Sequence, residues 1–372
     1  MKKYQIALMP GDGIGVDVME AAQLVLDAVG LEADYHPADV GWELWRKEGN
    51  PLPQRTIDVL KKSTCALFGA ITSKPKEEAE QELMPELKGK GLTYRSPILS
   101  MRQMFDLYVN LRPCKAYPGN PLNLKEGIDI VIFRENTEGL YAGVEFFPVP
   151  EEVRQALSKH SPAMGRFKET AADEMAISLR VITQKGAARI IRKAFEYAQK
   201  FGYPKVTLVE KANVLRQTSG LMVREGRKVA ADFPKIELEI SNIDAQMMWL
   251  VKNPEKYGVM VTSNLFGDIL SDLGGQLVGG LGFASSGNIG DKFAIFEPSH
   301  GSAPKYAGTY TVNPSAMLLS TKMMLDWLGE GEKAAALEKG VAAVVAEGKL
   351  RTRDMGGSTS TLDMAKGVVA KM

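Results

Sequence analysis

The sequence predicts an α/β fold with helices packed on a mostly parallel sheet. Short apolar runs of strand length alternate with longer stretches of helical period along most of the chain. The chain opens on one complete strand–turn–helix unit, and no low-complexity tract or internal repeat of about 20–50 residues breaks the alternation.

The opening unit is YQIALMPGDGIGVDVMEAAQLVLDAVG, a strand, a Gly-rich turn and a helix. TIDVLKKS reads as a helix and CALFGAIT as the buried strand after it. IDIVIFREN and KVTLVEK are further strands, with TQKGAARIIRKAFEYAQKFG between them as a helix ending at Gly202. YGVMVTSN is a strand running directly into the helix that carries Asp268 and Asp272. PSAMLLSTKMMLDWLG and EKAAALEKGVAAVVAEG are C-terminal helices. Residues 121–170 are richer in Pro and Gly, with few helix signals, and read as irregular or antiparallel structure.

The length of 372 residues accommodates one large domain or two. A net charge of +1 gives no electrostatic footprint for nucleic acid. No apolar run approaches the ~20 residues of a membrane helix, and Pro10 and Gly11 cut the N-terminal apolar run too short for a signal peptide. Cys65 and Cys114 lie among apolar residues and read as buried free thiols, so a cytoplasmic location is the expectation. Three histidines leave little room for a His-based metal site or a His-centred triad.

Asp268 and Asp272 are the most informative pair. Four residues apart on a helix, they lie on one face about a turn apart, where like charges repel. Mg²⁺ or Mn²⁺ would remove that conflict, because hard cations take carboxylate oxygens; a solvated acidic face is the alternative. Arg102, Arg112 and Arg134 supply guanidinium forks that match carboxylates, with Tyr141, Lys211, Asn213 and Asp244 on nearby segments. Taken together in apolar surroundings, they point to a substrate with more than one carboxylate. MPGDGIGVDV resembles a phosphate loop but has Val16 where the dinucleotide fingerprint needs its third glycine, and no Walker lysine follows. A tight strand-to-helix turn is the simpler reading. In FEPSHGSAPKYAGTYTVNP, the small residues around His300, Gly301, Ser302 and Ala303 turn backbone N–H groups toward an anion, while Lys305, Tyr306 and Asn313 add a cation, a hydroxyl and an amide.

These motifs together resemble the β-decarboxylating dehydrogenases, which include isocitrate, 3-isopropylmalate, homoisocitrate and tartrate dehydrogenases. GDGIG, DLYVNLRP, RENTEGLYAGVE, KANVLRQTSGL, TSNLFGDILSDLGGQLVGGLG, HGSAPKYAG and VNP occur in the family's order over nearly the whole chain. The resemblance implies a two-domain isocitrate/isopropylmalate dehydrogenase-like fold rather than a standard Rossmann fold. Residues 1–100 and 250–372 would form the larger domain and 101–249 the smaller one, with the dimer interface.

It also implies roles. Arg102, Arg112 and Arg134 would clamp substrate carboxylates, with Ser96 reading the third substituent. Asp268 and Asp272 would hold Mg²⁺ or Mn²⁺, joined by Asp244 from the other subunit of a homodimer. Lys211, also from the partner, and Tyr141 would be the catalytic pair; a tyrosine beside Lys211 would have a lowered pKa. Thr72 and Ser73 would meet the nicotinamide end of the cofactor, and Asn213 would also bind the cofactor. His300, Gly301, Ala303 and Asn313 would meet its adenosine. Lys305, with Tyr306 and Arg353, favours NADP over NAD, since NAD-using relatives tend to carry Asp at that position.

The substrate expected first is isocitrate, then homoisocitrate, then isopropylmalate. Ile98 departs from the Asn usual in isocitrate enzymes, and Arg95 could reach a third carboxylate. A phosphoryl-transfer enzyme and a non-catalytic regulatory subunit are the competing classes. The first lacks its Walker lysine and kinase motifs; the second would have lost site residues that are all present here.

Overall fold

The computed structural model describes residues 3–372. Twelve strands follow in chain order: β1 (Tyr4–Gly11), β2 (Ala33–Pro37), β3 (Cys65–Ala70), β4 (Val109–Lys115), β5 (Asp129–Glu135), β6 (Glu145–Phe146), β7 (Ile177–Ser178), β8 (Lys205–Glu210), β9 (Glu237–Asn242), β10 (Val259–Thr262), β11 (Ser285–Ile289) and β12 (Ala294–Pro298). Ten form one sheet in the order β2-β1-β3-β12-β11-β4-β5-β10-β8-β9, and β6 and β7 pair separately. The flanks are parallel, and the centre, β12-β11-β4-β5, is antiparallel. A doubly wound dinucleotide fold has no such antiparallel centre, so the expected departure from the Rossmann pattern is observed.

Every residue of β3 is buried, as a strand covered on both faces requires. The helix expected to end at Gly202 spans Gln184–Phe201. The Thr183 hydroxyl caps its start by accepting from the Gly186 N–H, and Gly202, at φ +76°, closes it. The two C-terminal helices run Ser315–Trp327 and Gly331–Glu347. Residues 121–170 hold more order than their composition suggests. They contain β5, β6 and a helix, Glu151–His160, none of whose residues is buried.

The cores divide by position in the sheet. Ile6, Leu67, Phe296, Met317, Leu337 and Val341 pack on one flank. Phe133, Ile190, Phe195, Leu208 and Val261 pack on the other. Leu111 and Ile289, from the antiparallel centre, touch both. Strand β10 lies between β5 and β8, and the helix after it, Asn264–Leu277, packs on β5 and β4. Residues 259–277 therefore share their packing with the 108–252 stretch.

Several chain segments leave the C-terminal ends of their strands carrying Asp12 and five of the expected site residues. Asp12 follows β1, Thr72 follows β3, His300 follows β12, Tyr141 follows β5, Lys211 follows β8, and Asp268 follows β10. The three antiparallel steps at the centre turn β5, β8 and β10 against β1, β3 and β12, so the first three strands named end at one edge of the sheet and the last three at the other.

Candidate active site

Arg134 ends β5 and pairs in register with Thr262 of β10, so it points at the helix that follows β10. Its Nη1 pairs with Asp268, and its Nε donates to the Asn264 amide oxygen at 3.0 Å. Gly267 makes this possible, since a Cβ there would lie 2.5 Å from the Arg134 side chain. Arg112 of β4 reaches the same helix. It donates to Ser271 at 2.6 Å and pairs with Asp272 at 3.1 Å and Asp268 at 3.5 Å. Tyr141 donates its hydroxyl to Asp268 at 2.5 Å, and the Arg134 guanidinium sits 5.0 Å above its ring.

Arg102 closes the Pro97–Met104 helix. It donates from Nε to Asn288 at 2.9 Å and pairs with Glu297 at 3.4 Å. Asn288 also accepts from Asn110 at 2.9 Å and Asn136 at 3.0 Å, making a buried polar frame beneath the site. Ser96 is the N-cap of the Arg102 helix, but its hydroxyl makes no capping bond. Ile98 packs against the core around Met101, Leu107 and Phe293. Arg95 is exposed and donates to Gln103 at 2.5 Å.

Three cations in so small a volume affect one another. Burial, with the Arg112 and Arg102 guanidiniums beside it, lowers Arg134 below the ordinary arginine value; an arginine keeps its charge, so the strain calls for anions. Burial alone would raise Asp268, but Arg134, the Tyr141 hydroxyl, Arg112 and Arg102 together more than offset it, and the carboxylate titrates lower than usual. Tyr141 is raised, by burial and by the bond to Asp268. Within one chain the group beside the Tyr141 hydroxyl is a carboxylate, Asp268; the lowering expected beside Lys211 depends on a lysine from the partner subunit.

Lys211 and Asp244 form a second cluster. They pair with each other at 2.5 Å, Asp244 is two-thirds exposed, and no hydrogen bond or ion pair among the described residues joins them to Asp268, Arg134 or Tyr141. Asn213 lies exposed in the turn after Lys211. Among the described residues, no three acidic or His/Cys side chains meet in a metal-ligating group. Asp268 and Asp272 do converge, since both reach Arg112. Two hard oxygen donors on one helix face fit a divalent cation that takes a further ligand from outside the chain's own cluster.

The third group lies on the β1–β3–β12 side. Gly13 stands at φ +57°, and a Cβ there would meet the Ser302 carbonyl at 2.1 Å; that same carbonyl accepts from the Ile14 N–H at 2.9 Å. The GDG turn therefore docks the 300–306 loop and spends its helix N-terminus on protein, as the tight-turn reading has it. Asp12 accepts from the N–H groups of Trp42 and Thr72, and the Thr72 hydroxyl meets Ser302 at 2.6 Å. Asp17 braces the far end of the loop through the N–H groups of Gly308 and Tyr310, both 3.1 Å away.

Within the loop, Ala303 holds a left-handed conformation, and Gly301 opens onto free space. His300 bonds the Gly301 carbonyl through Nδ1, while its Nε2 is enclosed without a partner among the described residues, and burial lowers its pKa. Lys305 and Arg353, both exposed, approach one ring, that of Tyr306, at 4.8 and 5.7 Å. Asn313 is buried against Asp354 and the Ser315 N–H. An unpartnered imidazole nitrogen beside a rim with two cations fits a nucleotide bearing phosphate.

Asp12, Asp17, Asn288, Glu297 and Ser271 were not expected. Each has a bond to backbone or another site residue across more than 50 positions of sequence, a pattern with no local signal, although Asp12 lies within the GDG turn itself.

The sequence model described as isocitrate/isopropylmalate dehydrogenase matches residues 5–368. The chain is 41% identical over 365 residues to a 3-isopropylmalate dehydrogenase of Methanothermobacter thermautotrophicus, covering 98% of this chain and 97% of that protein. It is 42% identical over 370 residues to an isocitrate/homoisocitrate dehydrogenase of Thermus thermophilus, covering 98% of each. It is also 41% identical over 365 residues to the protein DlpA of Legionella pneumophila, of which it spans 58%. A crystal structure of isocitrate dehydrogenase from Methylococcus capsulatus superposes with a TM-score of 0.85 at 37% identity, covering 99% of both chains. Motif order, a sheet with an antiparallel centre, and similarity along the full length agree, and the chain belongs to the isocitrate/isopropylmalate dehydrogenase family.

Proposed function

We propose that this protein oxidises and decarboxylates a 2-hydroxy acid carrying a β-carboxylate, taking isocitrate to 2-oxoglutarate and CO₂ with reduction of NADP. The observation that carries this reading is the convergence of Arg112, Arg134 and Tyr141 on Asp268 and Asp272. Three guanidiniums beside two carboxylates suit a polyanionic substrate that arrives with a divalent metal.

The working site is a composite of two subunits. Asp244 is exposed and pairs with the half-buried Lys211 away from the arginines, which suits their use by a partner's site. The division into two domains assigns residues 1–100 and 250–372 to the larger unit and 101–249 to the smaller, with β10 and the helix after it packing against β5 at the boundary.

The residues divide the chemistry as follows. Arg102, Arg112 and Arg134 bind and orient the carboxylates, and Ser96 offers its hydroxyl to the third substituent. Lys211 of the partner subunit takes the C2 hydroxyl proton while hydride leaves C2. When bound, Mg²⁺ or Mn²⁺ supplies positive charge to the developing oxyanion, and the nicotinamide ring supplies the hydride acceptor. The C3 carboxylate departs as CO₂, and Tyr141 returns a proton to C3. A raised tyrosine holds that proton at neutral pH, as a general acid requires.

Isocitrate is favoured by the uncommitted Ser96 hydroxyl, and by Ile98 turning into the core rather than offering a lone apolar wall. NADP is favoured by Lys305 and Arg353 flanking Tyr306. The test is a matrix of initial rates with Mg²⁺ or Mn²⁺, pairing isocitrate, homoisocitrate, isopropylmalate and tartrate with NAD and NADP. The highest kcat/KM is expected for isocitrate with NADP. Preference for another acid would reassign the substrate to Arg95 and Ile98, and no turnover of any acid would overturn the catalytic reading.

A further inference from the structure

Tyr94 lies two residues before Ser96, in the segment that leads into the substrate helix. Its ring is wedged edge-on between Trp42, at 4.9 Å and 64°, and Trp45, at 5.5 Å and 74°. Both indoles are themselves tied down, Trp42 to Glu82 at 2.6 Å and Trp45 to the Ala79 carbonyl at 2.8 Å. The Tyr94 hydroxyl therefore has a fixed aim. It donates to the Thr72 carbonyl at 3.0 Å and meets the Ser73 hydroxyl at 3.2 Å.

Thr72 is thereby gripped at every polar atom. Its N–H goes to Asp12, its hydroxyl to Ser302 of the cofactor loop, and its carbonyl to Tyr94 of the substrate segment. Of these, only the Tyr94 bond links the nicotinamide-side segment to the helix bearing Ser96 and Arg102. We propose that Tyr94 is a positioning residue that keeps the substrate helix in register with the Thr72–Ser73 segment, and so sets the approach of substrate C2 to the nicotinamide. This rests on the function proposed above. Hydride transfer is sensitive to sub-ångström misplacement, so a single hydroxyl acting through a carbonyl can move kcat without contributing to the binding of either ligand.

The experiment is Tyr94→Phe, which keeps the ring between the two indoles. Wild type and variant are compared with NADP, Mg²⁺ and both ordinary and C2-deuterated isocitrate, alongside thermal melts. Expected is a fall in kcat of about tenfold with each KM within about threefold of wild type. The deuterium isotope effect on kcat should rise as hydride transfer becomes limiting, and the melting temperature should stay put. A merely structural tyrosine would lower the melting temperature and leave the isotope effect alone, and that result, or an unchanged kcat, overturns the proposal. Wild-type protein inactive on every acid tested would overturn the dehydrogenase reading instead.

Discussion

If each active site is assembled from two subunits, two dead variants should restore each other. Lys211→Met removes the base and Tyr141→Phe removes the acid; each homodimer should lose about 10²–10⁴-fold in kcat, the usual worth of positioned proton transfer. Both changes are mild for the fold. The Lys211 side chain pairs with Asp244, and Tyr141→Phe gives up a bond to Asp268. In a heterodimer, the subunit with intact Tyr141 and Asp268 draws its lysine from the subunit that still has Lys211, so one site is wholly native. The opposite site carries both defects. Each heterodimer thus holds one working site of two, and random re-pairing of an equimolar mixture makes half the dimers mixed. Activity should recover to about a quarter of wild type. The assay is NADPH absorbance after dissociating and re-pairing the two purified variants, with separately treated variants as controls. If the mixture stays as inactive as its components while mixed dimers form, Lys211 serves its own chain's site and the composite reading is refuted.

Three further outcomes are expected. Lys305→Asp should move the NADP-to-NAD ratio of kcat/KM by about 100-fold toward NAD, since it replaces attraction to a 2′-phosphate by repulsion at a solvent-exposed rim; steady-state kinetics with both nucleotides decide it. Ile98→Ala should cost about 1–2 kcal/mol of stability through lost packing while leaving the ranking of the four acids unchanged, as urea melts and the rate matrix would report. Burial pushes Glu338 upward, but Lys115 at 2.6 Å and Lys322 at 3.1 Å bring it down to about 2 from an unfolded value of 4.5. A depressed carboxylate stabilises above its unfolded pKa and loses that contribution as pH falls through the folded one. Wild type should therefore exceed Glu338→Gln by about 1–2 kcal/mol at pH 7, after discounting for solvent screening, with the gap closing from about pH 4.5 toward 2; equal pH profiles would remove the ion pairs from the account.

Long periodic elements were legible in the sequence. The Gln184–Phe201 helix shows its cap, its apolar stripe and its terminating glycine within one window. Strands β4, β11 and β12 were not legible as strands. β4 carries Pro113, and β11 is the polar, glycine-containing SSGNI; their pairing partners are distant in sequence, so only the assembled sheet defines them. The same contrast holds at the site. Asp268, Asp272 and the arginines stand out because their residue types and spacing carry chemistry. Asn288 and Asp12 are ordinary residues in any local window, and act only because β11 and β1 bring them beneath Arg102 and Thr72. The Glu151–His160 helix escaped notice because it buries no residue and so shows no apolar stripe against which to read a period.

The docking of Ser302 onto the Gly13–Ile14 turn has a consequence for how this protein can change over evolutionary time. In many nucleotide-binding proteins the phosphate is gripped by backbone at a helix N-terminus, and a backbone grip cannot be exchanged one residue at a time. Here that N-terminus is occupied by the protein's own loop, and the groups that the proposed function assigns to a nucleotide's distinguishing phosphate are two exposed side chains on a solvent rim. On the proposed function, a lineage built on this scaffold would alter its redox currency by point substitution at Lys305 and Arg353, leaving the loop, the turn and the sheet beneath them untouched.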